Sequence, residues 1–210
     1  MSPWQAVGIA WLAGGLPSAW VAGRLHGVDL RTVGSGNLGA TNVVRTLGWP
    51  TGLAVYVVDC LKGALPVLWL PRLAGLAGPA AVTWAIVIGV AAILGHVRSP
   101  WLLFRGGGKG VATASGVFVG LAPGPTLLAV AVFAAVVAGT RYVSLGSMSA
   151  AAVLPIAVFV QQGGSPVFLA SVAVGAFVVW THRANIGRLR RGEESRIGGR
   201  PRPASGGEGG

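Results

Sequence analysis

Seven runs of mostly apolar residues divide the chain: Trp4 to Val21, Gly52 to Leu70, Pro79 to Leu94, Val111 to Leu121, Thr126 to Gly139, Gly146 to Val160 and Pro166 to Trp180. A helix rising 1.5 Å per residue needs about 20 residues to cross roughly 30 Å of hydrocarbon, and fewer where protein shields its ends. The pattern therefore predicts an all-α integral membrane protein with seven transmembrane helices, the fourth being the shortest. Three of the intervening segments, Pro71 to Pro79, Pro123-Gly124-Pro125 and Gln161 to Pro166, have turn chemistry.

Charge then orients the spans. All sixteen Lys and Arg residues except Lys62 and Arg72 fall on the side opposite those three turns. Cytoplasmic loops carry the excess of positive charge, so the pattern predicts an N-terminus outside and a C-terminus in the cytoplasm. An odd number of crossings, counted without reference to charge, gives the same answer. Met1 to Gln5 contains no Lys or Arg ahead of the first apolar run, so that run is read as a retained span rather than a cleaved signal.

Composition narrows the class further. With 53% hydrophobic and 10% charged residues, and a mean hydropathy of +0.70, the chain belongs in a bilayer. The net charge of +11 is confined to loops and the C-terminal end, which suits an anionic leaflet and excludes a nucleic-acid-binding face. The single cysteine, Cys60, permits neither a disulfide framework nor a multi-cysteine metal site. Residues 1–190 read as one polytopic membrane domain, and 191–210, rich in Arg, Gly and Pro, as a disordered basic cytoplasmic tail.

Four polar, glycine-bearing segments fall on the predicted cytoplasmic side. The first, Ser35-Gly36-Asn37-Leu38-Gly39-Ala40-Thr41-Asn42-Val43-Val44-Arg45, offers backbone N–H groups, neutral donors at Ser35, Asn37, Thr41 and Asn42, and a guanidinium one helical turn beyond Thr41. Alone it is equally a capped Gly/Ser loop. The second runs from Gly95-His96 to Phe104-Arg105-Gly106-Gly107-Gly108-Lys109-Gly110-Val111-Ala112-Thr113. Glycines and a lysine at a helix start make an anion site, although Gly110 and Leu103 break the ATP-binding P-loop pattern. The third, Arg141 to Ser147, contains Ser144 and Ser147, and the fourth is Thr181-His182-Arg183-Ala184-Asn185-Ile186-Gly187-Arg188-Leu189. Together the segments supply cations and neutral donors but one carboxylate, Asp29, which suits a phosphate and not a divalent metal. Asp59 and Lys62, three residues apart in the second run, read first as a structural ion pair: each alone costs about 2.5–3.5 kcal/mol inside a membrane.

The four segments, with Asp59-Cys60-Leu61-Lys62-Gly63, resemble in order and spacing the signature of the acyl-phosphate:glycerol-3-phosphate acyltransferases, the PlsY family. The resemblance covers about residues 4 to 190. Three glycines precede Lys109, where that family usually has two. It implies transfer of an acyl chain from acyl phosphate to the 1-hydroxyl of glycerol 3-phosphate, giving lysophosphatidic acid and phosphate in the inner membrane. It implies no cofactor, no metal, no acyl carrier protein and no coenzyme A.

On that basis His182, Asn185, Lys109 and Arg45 are the expected catalytic residues. The expected substrate-binding set is Ser35, Gly36, Asn37, Thr41, Asn42, His96, Gly107, Gly108, Gly110, Thr113, Ser144, Ser147 and Arg183. Ser35, Gly36, Thr41, Ser144 and Lys109 are assigned to the acyl-phosphate headgroup, and Arg45, His182 and Asn185 to glycerol 3-phosphate. The acyl tail belongs between helices, where Gly and Ala leave a groove. A substrate phosphate, His182 and His96 are the candidate proton acceptors. An organic-phosphate transporter is the alternative from another class; it requires polar breaks on the outer side too, where the turns carry only Arg72, Gln161, Gln162 and Ser165 as polar residues. A lipid phosphatase would need a nucleophile and acid pair that the four segments lack.

Overall fold

The computed structural model describes residues 1–198, which form ten α-helices and no strand. In chain order they are α1 (Pro3–Gly14), α2 (Ser18–Leu25), α3 (Ala40–Leu47), α4 (Trp49–Leu73), α5 (Gly78–Val97), α6 (Val111–Leu121), α7 (Pro123–Thr140), α8 (Val143–Gln162), α9 (Pro166–Thr181) and α10 (Arg183–Arg190), with a 3-10 turn at Pro100–Leu102. Five stretches are long and apolar enough to cross a membrane: Pro3–Leu25, Trp49–Leu73, Gly78–Leu102, Pro123–Thr140 and Val143–Gln162. A sixth is obtained if α9 and α10, bent by 55°, are taken together. At 11 residues α6 is about 16 Å long, roughly half the hydrocarbon thickness.

Proline accounts for most differences from the sequence pattern. The first apolar run is broken in two, because Pro17 has no N–H to continue α1. The Pro123-Gly124-Pro125 turn shrinks to Ala122, and Pro123 becomes the first residue of α7, where a missing N–H costs nothing. Pro71 does not end α4 but lies inside its last turn, so the connection to α5 is only Ala74 to Ala77.

The carbonyls released at the α1/α2 break are taken by side chains from two other elements. Ser99 Oγ donates to Gly15 O at 2.6 Å and Lys62 Nζ to Leu16 O at 2.8 Å. Lys62 also pairs with Asp59 at 2.7 Å, and Ser18 Oγ donates to the same carboxylate oxygen at 2.5 Å. The ion pair read from sequence is therefore the hub of a buried network joining α1, α2, α4 and the α5 end. Breaking one partner of such a pair costs about 3–5 kcal/mol.

Close helix approach depends on absent side chains. At Gly63 any Cβ would run into the backbone of Thr113, and at Gly116 into the backbone of Cys60. These two positions let α4 and α6 touch backbone to backbone, which holds the short α6 in the interior. The four polar segments meet at one end of this assembly: Leu38 N donates to Gly107 O, Gly108 N to His96 O, and Ile197 N to Arg141 O. The opposite end carries the N-terminus, which reaches Leu73 O, and the turn before α9, whose Ser165 caps that helix by accepting from Phe168 N at 3.2 Å.

Gly116→Val is expected to lower stability by about 1–3 kcal/mol, read as a fall in Tm in detergent. Gly139→Ala, at a helical glycine with nothing within 4 Å of a new Cβ, should leave Tm unchanged or raise it.

Candidate active site

The first polar segment is shaped by Asn42. This residue is buried, accepts from Ser35 N at 2.9 Å through Oδ1, and donates through Nδ2 to Leu30 O and Val33 O at 3.1 and 3.2 Å. Its amide is engaged by the loop backbone, so Asn42 presents Ser35 rather than a free donor. Gly36, at φ 67°, turns the chain beside it. Helix α3 then carries Thr41 and Arg45 to the same space.

In the second segment Gly107 packs on the carbonyls of His96 and Val97, while Gly108 lies against the His96 ring, leaving no room for a Cβ at either place. Gly110, at φ 85°, precedes α6. The loop aims Lys109 at Asn185 of α10, with Nζ donating to Oδ1, and Thr181 Oγ1 holds Lys109 O at 3.1 Å. Asn185 Nδ2 donates to Glu194 Oε1 at 2.7 Å. The amide has one possible orientation here, because ammonium only donates and carboxylate only accepts.

Glu194 completes the cluster. Ser144 Oγ donates to its Oε1 at 2.8 Å and Arg188 Nε to its Oε2 at 2.7 Å. Residues 191–198, part of the segment expected to be a disordered tail, return across the polar end: Arg45 donates to Ser195 O at 2.8 Å, Arg141 to Ile197 O at 3.1 Å, and Arg196 lies 5.1 Å from the Tyr142 ring. The remainder of that segment, 199–210, lies outside the described residues. His182, at the bend between α9 and α10, donates from Nδ1 to Val178 O at 2.8 Å, since a carbonyl can only accept. Its Nε2 is left as an acceptor.

Arg45, Lys109, Ser144, His182, Asn185 and Glu194 line one end of a cavity of about 190 Å³. The other end is apolar, walled by Ala114 and Phe118 of α6, Ala129, Val130 and Phe133 of α7, Ala150, Ala151 and Leu154 of α8, and Val174, Gly175 and Val178 of α9. Of the residues expected from sequence, Ser35, Asn37, Thr41, Asn42, Arg45, His96, Lys109, Ser144, Ser147, His182 and Asn185 line it. Gly36, Gly107, Gly108 and Gly110 shape the loops behind the wall. Thr113 is buried against Gly63 and does not reach the cavity. Arg183 also turns away, donating to Trp180 O at 3.3 Å and lying 4.5 Å from that ring.

Sequence reasoning missed Glu194, Tyr56 and Ser115 as lining residues, and read Asp59 first as half of a structural ion pair. The signal for Glu194 was its sign: Glu193 and Glu194 interrupt an otherwise basic run. Asp29, the single carboxylate noticed in the polar segments, is committed to Arg31 at 2.6 Å on the surface, and that side-chain hydrogen bond holds its carboxyl down at about 2.

Two groups titrate in an unusual setting. Burial, aided by the Arg188 and Arg45 guanidiniums and opposed by Glu194, pushes the Lys109 ammonium down to about 8. Burial raises the Glu194 carboxyl, but the bonds from Asn185, Ser144 and Arg188 outweigh it and the net shift is downward. Glu194→Ala removes an acceptor shared by three donors. It is expected to lower kcat at least about tenfold by releasing Asn185 and Ser144, and to lower Tm, both measured on the purified variant.

Similarity to known proteins accords with this geometry. The family profile described as glycerol-3-phosphate acyltransferase matches residues 4–192. The glycerol-3-phosphate acyltransferase of Geobacter sulfurreducens is 46% identical over 189 residues, covering 90% of this chain and 94% of that protein. The enzyme of the same name from Trichlorobacter lovleyi is 48% identical over 188 residues, with 90% and 94% covered. Among solved structures, PlsY, described as an integral membrane glycerol 3-phosphate acyltransferase and crystallised in its glycerol 3-phosphate form, superposes with a TM-score of 0.85 at 37% identity, covering 93% of this chain and 95% of that one. Its lysophosphatidic acid form gives 0.83 at 36%. The chain belongs to the glycerol-3-phosphate acyltransferase family.

Proposed function

We propose that the protein transfers an acyl group from acyl phosphate to the 1-hydroxyl of glycerol 3-phosphate, releasing phosphate and lysophosphatidic acid, with no acyl carrier protein or coenzyme A. One observation carries the reading: a single cavity joins a cluster of cations and neutral donors to an apolar slot between four helices. An acyl phosphate has that polarity, and so does the lipid product.

Lys109 and Arg45 supply charge to the substrate phosphates, while Ser35, Thr41, Ser144 and Asn185 supply directed donors. Holding two anions side by side is the main task, since proximity alone is worth about 7–11 kcal/mol of the barrier. His182, with Nδ1 fixed on a carbonyl, offers Nε2 to a hydroxyl of the acceptor. Among the described residues neither a Ser-His-Asp arrangement nor a reactive thiol lines the cavity, so direct attack by the acceptor is favoured over an acyl-enzyme. The apolar slot takes the acyl chain.

In the membrane, α1 with α2 forms the first crossing, followed by α4, α5, α6, α7, α8 and α9, giving seven. The short α6 is accommodated because α4 shields it along Gly63 and Gly116. The N-terminus faces outward and the polar end of the cavity faces the cytoplasm of a bacterial inner membrane, as the distribution of arginines favours.

The test is release of phosphate from acyl phosphate by the purified protein, with and without glycerol 3-phosphate, together with detection of 1-acylglycerol 3-phosphate. Acceptor-dependent release with that product is the expected result; acceptor-independent release indicates a phosphatase, and folded protein with no release at all removes the reading. Lys109→Ala and Arg45→Ala should each lower kcat/KM by roughly 100-fold or more with insertion unaffected. The Lys109 ammonium is charged below about 8 and neutral above it, so KM for glycerol 3-phosphate should climb as pH rises through that value. Lys109→Arg, charged throughout, should flatten the climb.

A further inference from the structure

An acyl phosphate is an activated acyl donor towards a neutral amine as well as towards an alcohol, and the sequence has two lysines, Lys62 and Lys109. Their surroundings differ. Lys62 Nζ is engaged by Asp59 at 2.7 Å and by Leu16 O at 2.8 Å, and it does not line the cavity. The amine of Met1 reaches Leu73 O at the opposite end of the molecule. Among the described residues Lys109 alone brings an amine into the cavity.

Lys109 also stands at the right depth. Its carbonyl accepts from Thr181 Oγ1 at 3.1 Å, and Val178, one turn earlier on α9, already belongs to the apolar slot. Val111 and Ala112, just beyond Lys109, line the cavity too. The side chain thus lies between the donor cluster and the slot, the parts suited to the head and the tail of an acyl phosphate. The carbonyl carbon of that molecule is joined to the phosphorus through a single oxygen. A phosphate bonded to Nζ therefore brings this carbon to within the roughly 3–3.5 Å from which attack proceeds.

Attack needs a lone pair, which the ammonium lacks. Burial and the Arg188 and Arg45 guanidiniums, opposed by Glu194, hold the Lys109 ammonium at about 8, so roughly one side chain in ten is neutral at pH 7. The neutral amine can still donate one N–H to Asn185 Oδ1. That oxygen only accepts, and the amide is fixed because its Nδ2 donates to Glu194. The bond to Asn185 is kept with an N–H, and the lone pair is left for the cavity.

Resting on the acyl-transfer reading, we propose that Lys109 is a self-acylation site, modified by the protein's own acyl donor when no acceptor occupies the cavity. The nitrogen lone pair forms a bond to the acyl carbonyl carbon. The bond between that carbon and the phosphate oxygen breaks, and the phosphate leaves with the electron pair. One proton passes from the nitrogen to the phosphate, giving an amide and hydrogen phosphate. An alcohol does not reopen an amide, so this product is a dead end and not a turnover intermediate. It removes the cation and leaves an acyl chain in the slot. Glycerol 3-phosphate opposes the modification, since its hydroxyl consumes the donor and its phosphate favours the charged form of Lys109. Protein that holds donor without acceptor is thereby switched off.

The test incubates the purified wild-type protein with palmitoyl phosphate, with and without glycerol 3-phosphate. Digestion and mass spectrometry then locate any palmitoyl group, and the remaining activity is measured after unbound donor has been removed. Without acceptor the Lys109 peptide should gain the mass of one palmitoyl group. Activity should fall in proportion to the modified fraction, by about 100-fold when modification is complete. Saturating glycerol 3-phosphate should prevent both changes, and Lys109→Arg should gain no palmitoyl group. An unmodified Lys109, full activity in the modified protein, or a palmitoyl group carried as readily by Met1, Lys62 or the Lys109→Arg variant overturns the proposal. If lysophosphatidic acid is still formed in those cases, the acyl-transfer reading stands without it. Wild-type protein that makes no lysophosphatidic acid removes that reading and this site together.

Discussion

A lysine ammonium and an aspartate carboxylate cannot be left unsatisfied in the interior of a membrane protein, and the arrangement around Lys62 and Asp59 follows from that constraint. The break after α1 provides Lys62 with a carbonyl, and Ser18 at the start of α2 provides Asp59 with a donor. His96 approaches the same carboxylate from the end of α5, and Ser99 just beyond takes the other freed carbonyl. One network thereby fixes the positions of the loops on either side of it, including the glycine segment that carries Lys109. The polar end of the cavity is built on this base.

Packing supplies the second constraint. Gly63 and Gly116 bring α4 and α6 into backbone contact, whereas α6 and α7, joined through Ala122, enclose space together with α8 and α9. Tight contact on one side of α6 and a slot on the other come from the same short helix. Glycine and alanine on its neighbours give room for a chain without leaving polar backbone exposed to lipid.

Much of this was legible in the sequence. Each apolar run is helical apart from the break at Gly15 to Pro17 in the first, and the four polar segments do converge at one end of the molecule. Helix ends were misread where proline was taken as a stop: Pro71 sits within a last turn and Pro123 opens a helix, while Pro17 divides a run that looked continuous. The family resemblance pointed to Lys109, Asn185, His182 and Arg45, which line the cavity, and equally to Thr113 and Arg183, which do not. Direction around a helix decides between those cases, and short loops and bends blur it. Glu194 was hidden for a different reason, since a polar run without apolar residues has no periodicity to show that it folds back. Its order comes from ionic and backbone contacts made to segments as distant as Arg45 and Ser144.

The return of residues 191–198 also bears on how the protein comes to be made. Every described helix precedes this strap in the chain, so its residues leave the ribosome only after those helices have been synthesised. Until then Asn185 and Ser144 lack the carboxylate that joins them, and Arg45 lacks the carbonyl of Ser195. A nascent chain inserted up to α10 therefore holds its binding groups in the bilayer without the wall that organises them. Closure of that wall therefore follows the synthesis of all ten described helices.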